Sequence, residues 1–295
     1  MKHYEIAEEK VFLPGHGACP GCAMALALRY VLNIFGRNSV AVIPPSCMGP
    51  MMGAQPYSSM LIPIFHNSFE SSASSAAGIK RALRARDRDD VNVLALAGDG
   101  GTYDIGLQAL SSVAEHNEDI VYICMDNEGY MNTGTQKSSS TPRHAYTTST
   151  PGGKESRKKN LVEIMAAHHV PYVATANIGY LDDFVTKIHK IKDMKGTRMI
   201  IVLIPCIDGW GFPGDAAATM SRLAVQTGVF PLYEVEDGTK YTINHGPEGL
   251  PVETYISRQR RYRHLTAEQV SEIQKEVDEN WAKLEGMANL FSATM

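Results

Sequence analysis

No apolar run in this 295-residue chain approaches the ~20 residues that a helix needs to cross a bilayer. Long stretches such as 91–97 and 199–204 are only as long as a strand. A membrane span is therefore excluded. The first ten residues, Met1 to Lys10, are charged and hold no apolar core of the kind a secretory leader carries, so the expected location is cytoplasmic. Basic charge is not in excess: 28 Lys+Arg against 32 Asp+Glu leave −4 at pH 7, and no nucleic acid partner is expected. Internal repeats and low-complexity tracts are absent. Cysteine is scarce and odd in number, at 19, 22, 47, 124 and 206. Without a leader, that favours metal ligation or burial over a disulfide framework. What remains, 44% hydrophobic and 20% charged, is ordinary for a globular chain. It is long enough for one large α/β domain or two small ones.

Short aliphatic runs alternate with helical patterns, the signature of a parallel sheet flanked by helices. Strands are expected at 40–43, 91–97, 120–125, 172–174 and 199–204, and helices at 23–35, 71–85, 106–115, 161–168 and 181–192. The fold class is doubly wound α/β. Residues 131–159, about 29 positions rich in Ser, Thr, Gly and Pro, show no period, and a loop of that length in a compact domain is usually functional. A last helix opens at Thr266, where Thr266-Ala267-Glu268-Gln269 fits a capping box and Val270, Ile273, Val277, Trp281 and Leu284 recur at steps of three and four. Residues 1–237 are read as one cofactor-binding domain. Residues 238–295 form a C-terminal extension with an amphipathic arm, expected at a subunit contact.

The run 91–97 enters Gly98-Asp99-Gly100-Gly101, followed by a helical pattern. A glycine-rich turn between strand and helix exposes N–H groups and the positive end of the helix dipole, which suits phosphate oxygens. Asp99 adds a carboxylate, and a carboxylate beside a diphosphate suits Mg²⁺. The next strand ends in Asp126-Asn127-Glu128-Gly129-Tyr130-Met131-Asn132-Thr133-Gly134, and two adjacent parallel strands would bring both loops to one edge. Among the cysteines, Cys19-Pro20-Gly21-Cys22 places two thiolates a turn apart, with Cys47 and Cys206 isolated from them and from each other. A tetrahedral Cys₄ unit, either structural zinc or a 4Fe-4S cluster, fits that pattern, and isolated distant ligands favour iron–sulfur. Cys124, inside an expected strand, reads as a small core residue.

GDG followed 28 residues later by Asn127 resembles the thiamine diphosphate motif. The run GDGGTYDIGLQAL, continued by YICMDNEGYMNTGTQKSSSTP, resembles the thiamine-binding subunit of the 2-oxoacid:ferredoxin oxidoreductases. So do Gly15 to Cys22, the cysteine after the first strand, and Pro205-Cys206 followed by Gly209-Trp210. The resemblance runs from about residue 12 to 237. It implies that thiamine diphosphate lies on Gly98, Asp99, Gly100 and Gly101, and that Asp99, the Asn127 side chain and the Gly129 carbonyl hold Mg²⁺. Asn132 would stand beside the thiazolium and the substrate, and His66, in Ile64 to Glu70, would act near the cofactor. Cys19, Cys22, Cys47 and Cys206 would bind one 4Fe-4S cluster.

The implied reaction is 2-oxoacid, coenzyme A and oxidised ferredoxin giving acyl-coenzyme A, carbon dioxide and reduced ferredoxin, with pyruvate as the default substrate. The same family acting on oxalate or an aromatic 2-oxoacid is one alternative. A zinc-stapled, non-redox thiamine decarboxylase or synthase subunit is another, and an iron–sulfur scaffold whose GDGG is a plain turn is a third. The resemblance also implies partners: an α-type subunit with the glutamate that pairs the aminopyrimidine, and γ- and δ-type subunits or fused domains with the coenzyme A site and a two-cluster ferredoxin module. Two weaker signals remain. His168-His169 is expected at a helix end rather than on a metal, and the basic run Arg258 to Arg263 is read as a solvated face, with an acidic partner or coenzyme A phosphates as the second reading.

Overall fold

The protein is described here by a computed structural model covering residues 10–292, so the charged N-terminal residues 1–9 lie outside the described residues. Six parallel strands form the body of the sheet: β1 (Ser39–Ile43), β2 (Ile64–His66), β3 (Asn92–Gly98), β4 (Val121–Asp126), β5 (Tyr172–Asn177) and β6 (Arg198–Leu203). Two antiparallel strands, β7 (Leu232–Glu236) and β8 (Lys240–His245), close one edge. The order is β2-β1-β3-β4-β6-β5-β7-β8. β4, β5 and β6 are buried at every position, which is why their sequences run apolar without alternation.

The helices are α1 (Ala23–Phe35), α2 (Met48–Met52), α3 (Ser72–Arg84), α4 (Leu107–Glu115), α5 (Leu161–Ala167), α6 (Leu181–Asp193), α7 (Ala217–Gln226), α8 (Glu253–Ile256) and α9 (Ala267–Ser292). Right-handed crossovers running in opposite directions along a sheet place their helices on opposite faces. Accordingly α3 packs on α4, whereas α6, from the β5-to-β6 connection that runs in the opposite direction, packs on α1. No described helix is long and apolar enough to cross a membrane.

The five expected strands and six expected helices are all present, with ends displaced by a few residues at most. The reading of five strands is corrected to eight, because β2, β7 and β8 carry no continuous apolar run. β2 is three residues at an edge, and β7 and β8 alternate as a half-exposed antiparallel pair does. Short helices α2 and α8 and the ten-residue α7 were also not expected. The C-terminal extension enters the sheet itself: β8 lies beyond residue 237 and pairs with β7. At α9 the capping box forms, Gln269 N–H donating to Thr266 Oγ1 and Thr266 N–H to Gln269 Oε1. Its apolar stripe, from Val270 through Trp281, packs on the core of this same chain.

Candidate active site

β1 connects outward to β2, whereas β3 is laid down on the other side of β1, so the strand order reverses between β1 and β3. A crevice opens at the carboxyl ends of strands at such a reversal. Three loops meet there: Pro44 to Cys47 after β1, Gly98 to Gly101 after β3, and Asp126 to Thr133 after β4. They enclose a cavity of about 330 Å³, with Met24 and Phe69 completing its wall. After β3 the chain makes a π-helical turn, Gly100–Asp104, before α4 begins at Leu107. Gly100 has no room for a side chain, since a Cβ there would stand 2.4 Å from the Tyr130 ring.

Of the residues expected at the diphosphate and metal, Gly98, Asp99, Gly100, Gly101, Asn127, Gly129 and Asn132 all line this cavity. The Asn127 amide turns Nδ2 toward Cys47 Sγ at 3.6 Å. Its Oδ1 faces Asp99 Oδ1 and the Gly129 carbonyl, both at 2.9 Å. Without a cation those three acceptors repel, and a reversed amide would donate to both neighbours. A cation held by all three oxygens would favour the orientation with Oδ1 facing Asp99 and Gly129. Octahedral Mg²⁺ with oxygens at about 2.0–2.1 Å spaces adjacent ligands about 3 Å apart, so the donor set fits that ion. Burial, reinforced by the Asp126 carboxylate, pushes the Asp99 carboxyl well above the usual range, and a divalent cation would reverse that.

The loop 131–159, without helix or strand, wraps the acidic residues of the site in hydroxyls. Ser138 donates to Asp99 Oδ2, Ser140 to Asp126 Oδ1, and Thr141 to the Glu128 carbonyl. Lys158 bridges Asp126 Oδ2 at 2.8 Å and Glu128 Oε1 at 2.9 Å. None of these partners was named from the sequence. The only signal was the unusual length and composition of the loop.

Cys47 belongs to two neighbourhoods. Its thiol lines the cavity and donates to Asn132 Oδ1 at 3.4 Å. Burial, then repulsion from Cys206 and Cys22, pushes that thiol up to about 12. Burial also raises the Cys206 thiol to about 11, and Gly209 N–H donates to its sulfur at 3.4 Å. Cys19 is exposed next to Cys22 at the head of α1. Among the described residues no three His, Cys, Asp or Glu side chains converge as a single-ion site. Cys22 and Cys206 nonetheless stand close enough to Cys47 to influence its thiol.

Other residues fall elsewhere. His66 sits exposed on edge strand β2, bonded through Nδ1 to the Ile43 carbonyl at 3.0 Å, and does not line the cavity. Cys124 is buried in β4. His168 contacts Ser111 and His169 the Asp237 carbonyl, both at the end of α5. The basic run is divided: Arg261 is buried against Glu128, while Arg258 and Arg263 are exposed.

Residues 46–202 match the family model described as thiamine pyrophosphate enzyme, C-terminal TPP binding domain. The chain is 49% identical over 280 residues to pyruvate synthase subunit PorB of Methanothermobacter thermautotrophicus, covering 93% of this chain and 97% of that one. It is 43% identical over 303 residues to ketoisovalerate oxidoreductase subunit VorB of Pyrococcus furiosus, covering 98% and 97%. Its fold is similar to that of 2-oxoglutarate:ferredoxin oxidoreductase from Magnetococcus marinus, with a TM-score of 0.59 at 20% identity over 74% of this chain and 82% of that chain. With a thiamine-type cavity at the switch point of its sheet and relatives matched over nearly their whole length, this chain belongs to the β-subunit family of the 2-oxoacid:ferredoxin oxidoreductases.

Proposed function

We propose that this chain is the thiamine-binding subunit of a cytoplasmic hetero-oligomer that oxidatively decarboxylates a 2-oxoacid, pyruvate first, with coenzyme A and ferredoxin as co-substrates. The observation that carries the reading is Cys47, whose sulfur lines the diphosphate cavity and lies close enough to Cys22 and Cys206 for their sulfurs to disfavour its thiolate. Bound here, thiamine diphosphate supplies a carbon nucleophile and an electron sink, and a 4Fe-4S cluster an acceptor of single electrons. The chain's own residues bind and orient. Asp99, Asn127 and Gly129 would hold Mg²⁺, the Gly98–Gly101 backbone would face the diphosphate, and Asn132 at the cavity wall would orient the substrate. Cys19, Cys22, Cys47 and Cys206 would hold the cluster. N–H groups of Met24 and Ala25 toward Cys22, and of Gly209 toward Cys206, favour the thiolates.

An α-type partner would contribute the glutamate facing the aminopyrimidine. γ- and δ-type partners would contribute the coenzyme A site and a two-cluster ferredoxin module. The curated relatives' names divide between pyruvate and ketoisovalerate, so the test is a panel. The purified complex is assayed for viologen reduction with pyruvate, ketoisovalerate, oxalate and an aromatic 2-oxoacid, each with and without coenzyme A. Fastest reduction with pyruvate, dependent on coenzyme A, is expected from a brown protein that reductant bleaches. A colourless, zinc-loaded complex that consumes 2-oxoacid without reducing viologen would overturn the proposal.

A further inference from the structure

Between two of the proposed metal ligands stands Glu128, a non-glycine residue in the left-handed region at φ 64°. Side chains rarely adopt that backbone, because Cβ crowds the carbonyl. Four tethers hold it. The Glu128 side chain, 3% exposed, receives Lys158 at Oε1 and Arg261 at Oε2, the latter at 2.7 Å. Its backbone N–H donates to Asp126 Oδ1 at 3.0 Å, and its carbonyl accepts from Thr141.

Arg261 is the tether that comes from farthest away in the chain. Its guanidinium lies 4.0 Å from the Trp210 ring centroid and 5.0 Å from that of Tyr262, and Nε donates to buried Gln259 at 2.7 Å. A planar fork with five donors suits this seat, where one edge meets a carboxylate while a face meets an indole. Trp210 in turn donates through Nε1 to the Asn127 carbonyl at 2.9 Å, and its own N–H donates to the Cys206 carbonyl. Arg261 therefore touches the side chain after Asn127 and the ring that fixes the Asn127 backbone.

We infer that Arg261 is a positioning residue for the metal and diphosphate loop: it clamps Glu128 in the left-handed conformation and thereby aims the Gly129 carbonyl and the Asn127 side chain at one point. The inference rests on the reading of that point as the Mg²⁺ site. A glycine at 128 would adopt the same backbone without a clamp, and this supplies a test that a merely structural role would not pass.

The test measures thiamine diphosphate binding to the complex freed of thiamine diphosphate and Mg²⁺ but keeping its iron, at fixed added Mg²⁺, by calorimetry. Arg261→Met should weaken binding by about tenfold or more, about 1.4 kcal/mol, with iron content unchanged. Arg261→Lys, which keeps the charge but not the fork or the stack, should fall between. Glu128→Gly/Arg261→Met should recover to within about threefold of wild type, although glycine substitutions ordinarily destabilise. Lys190→Met, which breaks a similar pairing with Glu234 and Glu236 far from the site, should lower Tm and leave binding alone. Wild-type affinity in Arg261→Met, or a double variant no better than Arg261→Met, overturns the inference. If Arg261→Met does not fold, Arg261→Lys decides: wild-type affinity there overturns it. If the wild-type complex binds no thiamine diphosphate with Mg²⁺, the proposed function falls and the inference with it.

Discussion

Lys154 is a buried ammonium that donates only to carbonyl oxygens, those of Ser139, Thr141 and Arg157. Burial, helped by the nearby positive charge of Lys158, lowers it from 10.5 to about 8. Between those two values the unfolded chain holds a proton that the folded chain has released. Unfolding then takes up a proton, and stability rises with pH. The Tm of the wild type minus that of Lys154→Met should therefore increase from about pH 8 toward 10.5, and a pH-independent difference would refute the assignment. The cysteines give a second test at this scale. If the proposed cluster is bound here, serine at Cys19, Cys22, Cys47 or Cys206 should lower iron and acid-labile sulfide and silence the paramagnetic signal seen on reduction. Cys124→Ser should leave both intact while costing roughly 1–3 kcal/mol, because its hydroxyl would replace a thiol buried in β4. A full signal in Cys47→Ser would remove Cys47 from the ligand set.

The β7–β8 hairpin shows what can be lost at the scale of elements. Its turn holds Asp237 at φ 50° and Gly238 at φ 70°, two left-handed residues in succession, as a tight hairpin turn demands. A Cβ at Gly238 would stand 2.3 Å from the Ala166 carbonyl oxygen. Gly238→Ala should thus cost at least about 1 kcal/mol in denaturant midpoint, and an unchanged midpoint would show that α5 yields. Asp-Gly between alternating residues was the available sign of this hairpin, weaker to the eye than the solid apolar runs of β3, β4 and β6. Buried parallel strands and the capped stripe of α9 are legible because their periodicity is local. β2 is not, having three residues and no pattern. The site divides in the same way: the GDG and DN loops show in the sequence because each is contiguous. The Glu128–Arg261 pair joins positions 133 residues apart, and Ser138 reaches Asp99 across 39. Only the fold brings such residues together, so no spacing rule could have named them.

Over the whole molecule, residues 238–295 are joined to the core at three places. β8 extends the sheet, Arg261 reaches the loop after β4, and α9 lays its stripe on the core with Val277 against Gly228. Ion pairs rim that last contact, Arg157 with Glu276 and Glu279 and Lys283 with Glu163, and His144 hydrogen-bonds Glu272. Exposed pairs of this kind contribute little each, so burial of the stripe is what docks α9. Two truncations separate the contribution of α9 from that of β8 and Arg261 together. A chain ending after residue 265 keeps β8 and Arg261 but uncovers Tyr233 and Tyr241, which line a cavity of about 210 Å³ that α9 also lines. Co-expressed with its partner subunits, it should have a lower Tm, bind an apolar dye and still retain thiamine diphosphate through gel filtration. A chain ending after 237 also loses the edge strand and the Glu128 clamp. Even when held soluble by its partners, it should retain no thiamine diphosphate. Retention by the shorter chain at the level of the longer one would mean that the metal loop holds its shape without the extension, and would reduce the extension to a cover for the sheet edge.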